Sequence, residues 1–393
     1  MTRHLARGLA VATLPLLLCA CDPGDEPRPG DGAIEQVGGR VVQTSDLVDN
    51  PAVLSPPIVV PPAFLCATAV EVRGFVPDAK IEVFAGTTLV GTETGSDPWG
   101  QMIPIDPPLD TLGQPITAKQ TWLGHTSDPS PEVFASAHTE AYPAGLPQPR
   151  FPYVPLHDCG VATLVADLPQ GGEVEVRADD DGEVTVVGNA KGVNERHGLW
   201  ISPAFHEGDD VTAISSICDD PSEPSLPETV EAAPPALPEP EVHEIYDQGQ
   251  HLVLGKLANG AKVTIKDGAG VVIGGGGAPS GLVRFGIDPP VAEGDPLTYV
   301  QELCGVESPT GTTTVQPCSD LPAPVVIGPQ PGDTQVLLAN VVTGAHVWIY
   351  ASGDEVGDGG GSLIQLIRPL AAGETILGVQ GFGDCVGAAA YQV

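Results

Sequence analysis

Basic residues are scarce in this chain. Lysine and arginine number 16 against 51 aspartates and glutamates, so the net charge is −35 at neutral pH. Phosphate recognition needs clustered Lys and Arg, which excludes nucleic acid as a partner. An anionic membrane surface repels a folded part of this sign. Aromatic residues are also few, at 5%. After residue 20 no apolar pattern is sustained at helical spacing, which argues against long helices. What the chain has instead is Gly 49 and Pro 42, together more than a fifth of its 393 residues, with 41% hydrophobic content. That combination suits short strands joined by turns around real cores.

Residues 1–20 have the three parts of an export signal: Arg3 and Arg7, an apolar run over 9–18, then small residues. The run is too short for a permanent span. The stretch Leu18-Cys19-Ala20-Cys21 resembles a bacterial lipobox. That resemblance implies cleavage before Cys21 and attachment of a lipid to its thiol, hence an acylated protein held at the cell membrane, with the bacterial outer membrane as the expected address. An ordinary cleaved signal peptide with a secreted product is the alternative. Residues 21–50 read as a flexible acidic tether rich in Pro, Gly and Asp.

Four times thereafter one pattern returns: an alternating strand, a glycine turn, a proline corner and a second strand. The first strands fall at 79–85, 172–177, 261–266 and 345–350, and the corners begin at Pro107, Ser202, Asp288 and Arg368. Apolar residues alternate as Ile81 and Val83, Val174 and Val176, Val263 and Ile265, Val347 and Ile349, the signature of half-buried strands. A period of this length suits one small β-domain per repeat. The expected domains are 51–145, 146–232, 240–320 and 321–393. Proline-rich joins separate them, and such joins predict an extended stalk.

The repeated pattern resembles the Ig-like β-sandwich repeats of bacterial surface proteins. The resemblance covers about residues 55–393 and implies an all-β fold of four tandem Ig-like β-sandwich domains, with adhesion, display or ligand binding at the envelope. Repeats three and four depart from it by lacking a cysteine at their first strand, and repeat one by lacking one at its closing strand.

Beyond Cys21 six cysteines remain, at 66, 159, 218, 304, 318 and 385. An even count in an exported chain predicts oxidation. Matching positions in the repeats favour a Cys159–Cys218 bridge within repeat two and a Cys304–Cys318 bridge within repeat three. Cys318–Cys385 is a rival for the latter. Cys66 and Cys385 are then left over.

No nucleophile elbow, dinucleotide loop or zincin motif is present, so no catalytic residue, cofactor or metal is assigned. The acidic turns at Asp179-Asp180-Asp181-Gly182-Glu183 and at Asp354-Glu355 with Asp358 read as solvated hairpin tips. Gln120, Gln301 and Gln380 recur in the closing strand and are expected to tie a loop to the sheet. Repeat four carries His346, Trp348 and Tyr350 where the others have charged residues or Thr. Alternation puts all three on the outer face of one strand, where exposed rings would stack on sugars or dock a partner. Trp99 and Trp200 are expected in cores. The expected role is a non-catalytic adhesion, scaffold or display module. Its partners are the membrane, through the N-terminal lipid, and an envelope protein or polysaccharide. The alternative is a carbohydrate-binding surface protein that uses the aromatic strip.

Overall fold

A computed structural model describes residues 53–392 apart from 244, 383 and 384. Cys21, the export signal and the tether lie outside the described residues. The four repeats form four tandem Ig-like sandwiches, each with its own core.

The first sandwich shows the plan. One sheet contains Ile58–Val59, Ala69–Arg73 and Gln101–Pro104, with Ala69–Arg73 in the centre. The facing sheet runs from Thr88–Thr94 through Lys80–Ala85 and Pro115–Trp122 to Val133–Ser136. Neighbouring strands are antiparallel along both of these paths. Alternation does what it predicts: in Lys80–Ala85 every second residue is buried, and Ile81 and Val83 are fully enclosed. Glu173–Asp180 and Lys262–Lys266 repeat the pattern in sandwiches two and three. The turn at 179–183 is the exposed hairpin tip expected, closed by the Gly182 N–H donating to Asp179 Oδ1 at 2.7 Å.

The recurring glutamine is a structural clamp. Gln301 is fully buried. Its Oε1 accepts from the Ala258 N–H at 2.7 Å, and its Nε2 donates to the carbonyls of Pro238 and Lys256 at 2.8 and 3.0 Å. Gln380 does the same with the Val342 N–H and the carbonyls of Pro322 and Asn340. Gln120 takes the Val76 N–H and donates to the Ser55 carbonyl, both at 2.7 Å. Each amide thus pins the segment that leads into its own sandwich. Sandwich two is the exception, and its two changes go together. The residue matching Val76 is Pro169, which has no N–H to give, and the matching glutamine is Ser215.

Pinning the joins overturns the expected stalk. The sandwiches pack on one another and form one compact unit. Backbone hydrogen bonds cross between successive sandwiches, from the Thr68 N–H to the Gly171 carbonyl at 3.0 Å and from the Val161 N–H to the Gly260 carbonyl at 2.9 Å.

The disulfides correct the expected pairings. Cys66 bonds to Cys218 and Cys159 to Cys304, so each bridge joins one sandwich to the next. Cys318 pairs with Cys385, the rival reading. Cys159–Cys218 fails because the two residues sit at opposite poles of sandwich two. The Cys159 N–H donates to the Phe205 carbonyl, just before the strand Asp210–Ile217, whereas Cys218 follows that strand. Eight extended residues cover roughly 25 Å, far beyond disulfide reach. Cys304–Cys318 fails likewise. Gly311–Thr314 runs back along Pro296–Leu303 until Thr314 faces Pro296, which carries Cys318 away from Cys304.

Two tests follow from the clamp and the bridges. Gln301→Ala removes three part-buried hydrogen bonds and should cost about 2–4 kcal/mol, read by chemical denaturation. Ser215→Ala should cost far less, since the Ser215 hydroxyl has no hydrogen-bond partner. Non-reducing peptide mapping should recover Cys66 with Cys218 and Cys159 with Cys304. Removing the first bridge, which spans 152 residues, should destabilise by up to about 5 kcal/mol.

Candidate functional site

The aromatic strip of the fourth sandwich lies on His346–Ala351. Its inner residues Val347, Ile349 and Ala351 belong to the core. Alternation therefore puts His346, Trp348 and Tyr350 on the outer face, as expected. That face is not open. Trp348 is 8% exposed and Tyr350 7%. The neighbouring strands are buried on both faces too: Thr375–Phe382 is covered from its second residue onward.

Over His346 the cover is the first sandwich. The Trp122 ring stands edge-on against His346, with centroids 4.9 Å apart, and His346 lies against Trp348 at 4.0 Å. Below the rings the fully buried Asp358 carboxylate pairs with His346 Nε2. Asp358 is thus an internal hydrogen-bond partner of His346, which corrects its reading as part of a solvated tip. Taking a carboxylate out of water is costly unless it is paired and hydrogen-bonded, and here the imidazole supplies the partner.

Ser55 joins the two sandwiches. Its N–H donates to the Asp358 carbonyl at 3.2 Å, its hydroxyl donates to the Gln365 carbonyl at 2.6 Å, and the Asp358 N–H donates to its Oγ at 2.7 Å. The remaining Ser55 group, its carbonyl, is the acceptor of the Gln120 clamp. One serine thereby couples the clamp of sandwich one to the buried pair of sandwich four. Beside it the strand Asp354–Gly360 approaches the first sandwich backbone to backbone. A side chain at Gly359 would overlap the Gly74 carbonyl, which explains the glycine run at 359–361.

This seam brings His346, which alternation selected and which lies against Trp348, together with three residues that sequence reasoning did not place there: Ser55, Trp122 and Asp358. The signal in the sequence that could have found it is the glycine run at 359–361. A strand without side chains is one that another backbone approaches closely. The Cys159, Cys218, Cys304 and Cys318 sulfurs are all engaged in bridges. Trp200, expected in a core, is 65% exposed. Among the described residues the only group with metal-ligand spacing is Asp158, Cys159 and Cys304, and its two sulfurs are bonded to each other.

Chemically the seam is a packed interface. A ring platform for sugars needs an open face, and this one is occupied. The aromatic strip is therefore a docking face filled from within the chain.

No protein-family model matches the chain, and no curated protein matches it. Among solved structures it is similar to domains 4–9 of the surface layer protein SbsC. The identity there is 14% and the TM-score 0.24, over 83% of this chain and 61% of that one. It is also similar to the BSP domain of a biofilm associated protein, at 10% identity and TM-score 0.22 over 88% and 97% of the two chains. A third is the N-terminal four Ig domains of Dscam1, at 11% identity and TM-score 0.23 over 87% and 99%. At these values the fold assignment rests on the sheet topology above.

The seam generates one prediction. Ser55→Ala leaves the Asp358 N–H and the Gln365 carbonyl without this partner and should cost about 1–3 kcal/mol. Amide exchange should quicken at Asp358 and along 346–351. It should remain slow in the core of sandwich two, which the seam does not touch.

Proposed function

We propose that this chain is a lipid-anchored envelope protein whose four sandwiches act as a rigid, non-catalytic display or scaffold head. The observation that carries the reading is the closure of the array. Two disulfides staple sandwich one to two and two to three, and Ser55 with the Trp122–His346 contact seals one against four. Such a unit resists deformation and proteolysis, as a structure held outside the cytoplasm needs to. Three bridges among the described residues require an oxidising compartment, in keeping with the export signal. The acidic balance keeps the head soluble and repels anionic lipid, so a tether between lipid and head suits it. No helix of the described residues is long and apolar enough to cross a membrane. Attachment then falls to the lipid on Cys21.

The test is partitioning and shaving. The full-length protein should follow the detergent phase, and Cys21→Ser should move it to the aqueous phase or block its processing. A protease too large to cross the outer membrane, added to intact cells, should remove the C-terminal epitope if the head is displayed outside. Survival until the outer membrane is breached would make it a periplasmic scaffold. An aqueous wild-type protein would refute the anchored reading.

A further inference from the structure

The bridge between sandwiches two and three carries a charge that its counterpart lacks. Cys66–Cys218 and Cys159–Cys304 stand at matching places in successive sandwiches. Each pairs an exposed cysteine, Cys66 or Cys304, with a half-buried one. Both bridges therefore offer a sulfur to thiols in solution.

What lies against the sulfur differs. At the first bridge the Leu65 carbonyl is 3.3 Å from Cys218 Sγ. At the second the Asp158 carboxylate takes that place, with its Oδ2 3.3 Å from Cys304 Sγ. A carboxylate oxygen and both sulfurs lie within 4.8 Å of one another. A disulfide sulfur has no hydrogen to donate, so this contact is not a hydrogen bond. It sets a negative charge against an exposed sulfur. The other oxygen, Oδ1, accepts the Cys159 N–H at 2.9 Å, and the Asp158 N–H donates to the Glu231 carbonyl at 2.9 Å, which fixes the residue in place. None of the ion pairs among the described residues engages Asp158. Glu302 and Glu307, opposite each other across the Cys304 turn, add charge of the same sign.

Disulfides are cut by thiolates. The attacking thiolate forms a new S–S bond to one cysteine, the Cys159–Cys304 bond breaks, and its electron pair leaves on the other cysteine. A second thiolate then releases the mixed disulfide. In sum the bridge gains two electrons, two reductant thiols become one disulfide, and the cysteine thiolates take protons from water. Negative charge spreads over three sulfurs during the exchange, whichever cysteine is attacked, and a carboxylate beside them opposes it. We propose that Asp158 is an electrostatic guard that slows reduction of the Cys159–Cys304 bridge by thiolates, and by those of highest negative charge most of all. This goes beyond the display role and does not depend on the lipid anchor.

The test is thiol exchange on the full-length oxidised protein in non-ionic detergent, at about pH 8 so that thiolate is present and in about 10 mM salt to leave charges unscreened. Mercaptoethanesulfonate, mercaptoethanol and cysteamine are compared at equal thiolate concentration, and loss of the bridge is read by alkylation and peptide mapping at Cys159 and Cys304. Asp158→Asn removes the charge and keeps an Oδ1 acceptor for the Cys159 N–H; an unchanged circular dichroism melt verifies the fold. It should speed cleavage by mercaptoethanol about fivefold, the repulsion of two unit charges about 4 Å apart in water. The gain should be larger for the sulfonate, which adds a second negative charge, and smaller for cysteamine, whose ammonium offsets the first. Asp128→Asn, on the exposed surface of sandwich one, removes an equal charge and should leave the three rates unchanged. A merely looser loop would admit all three thiols alike. The proposal is overturned if Asp158→Asn speeds the three by one common factor, if it changes no rate, or if Asp128→Asn acts as strongly.

Discussion

Ser55 is the point on which the arrangement of this protein turns. It is fully buried between the first and fourth sandwiches. Its N–H and hydroxyl grip Asp358 and Gln365, while its carbonyl holds Gln120. Buried polar groups are costly when unpaired, so a serine with all of these groups satisfied specifies one docking geometry. Beside that geometry Trp122 of the first sandwich covers His346.

The remaining order comes from two devices at the joins. Proline-rich segments left to themselves extend. Here a glutamine at one fixed place in the sheet takes the segment's carbonyl and a loop N–H together, at Gln120, Gln301 and Gln380. Disulfides then fasten neighbours where the clamp alone would leave them free to rock. Sandwich two lacks the clamp, with Pro169 and Ser215 in its place. It is also the sandwich held by bridges on both sides, through Cys218 and Cys159. The third-to-fourth join has the clamp and an apolar cluster of Tyr246, Leu321 and Phe382.

Much of this was legible in the chain. Strand phase follows from side-chain alternation, a local property, so the cores at Ile81, Val176 and Ile265 and the outward set His346, Trp348 and Tyr350 were correctly assigned to their faces. The glutamines were recognisable because an amide among apolar neighbours must find partners. Cysteine pairing was not legible, because matching positions in a repeat say which residues are equivalent and not which are near. The two cysteines at opposite poles of sandwich two find partners in the sandwiches on either side.

The sequence by itself determined the units: four sandwiches, their inward faces, their turns, and cysteines that end oxidised. These depend on contacts between residues close in the chain or repeated within one domain. Only the tertiary structure decided how the units meet. Whether a flat aromatic face lies open or covered depends on Trp122 and Ser55 reaching a strand some hundreds of residues away, as the separation of 303 between Ser55 and Asp358 shows. No local pattern encodes a contact of that length. Its one trace in the chain is the glycine run at 359–361, where the strand gave up side chains so that another backbone could come close.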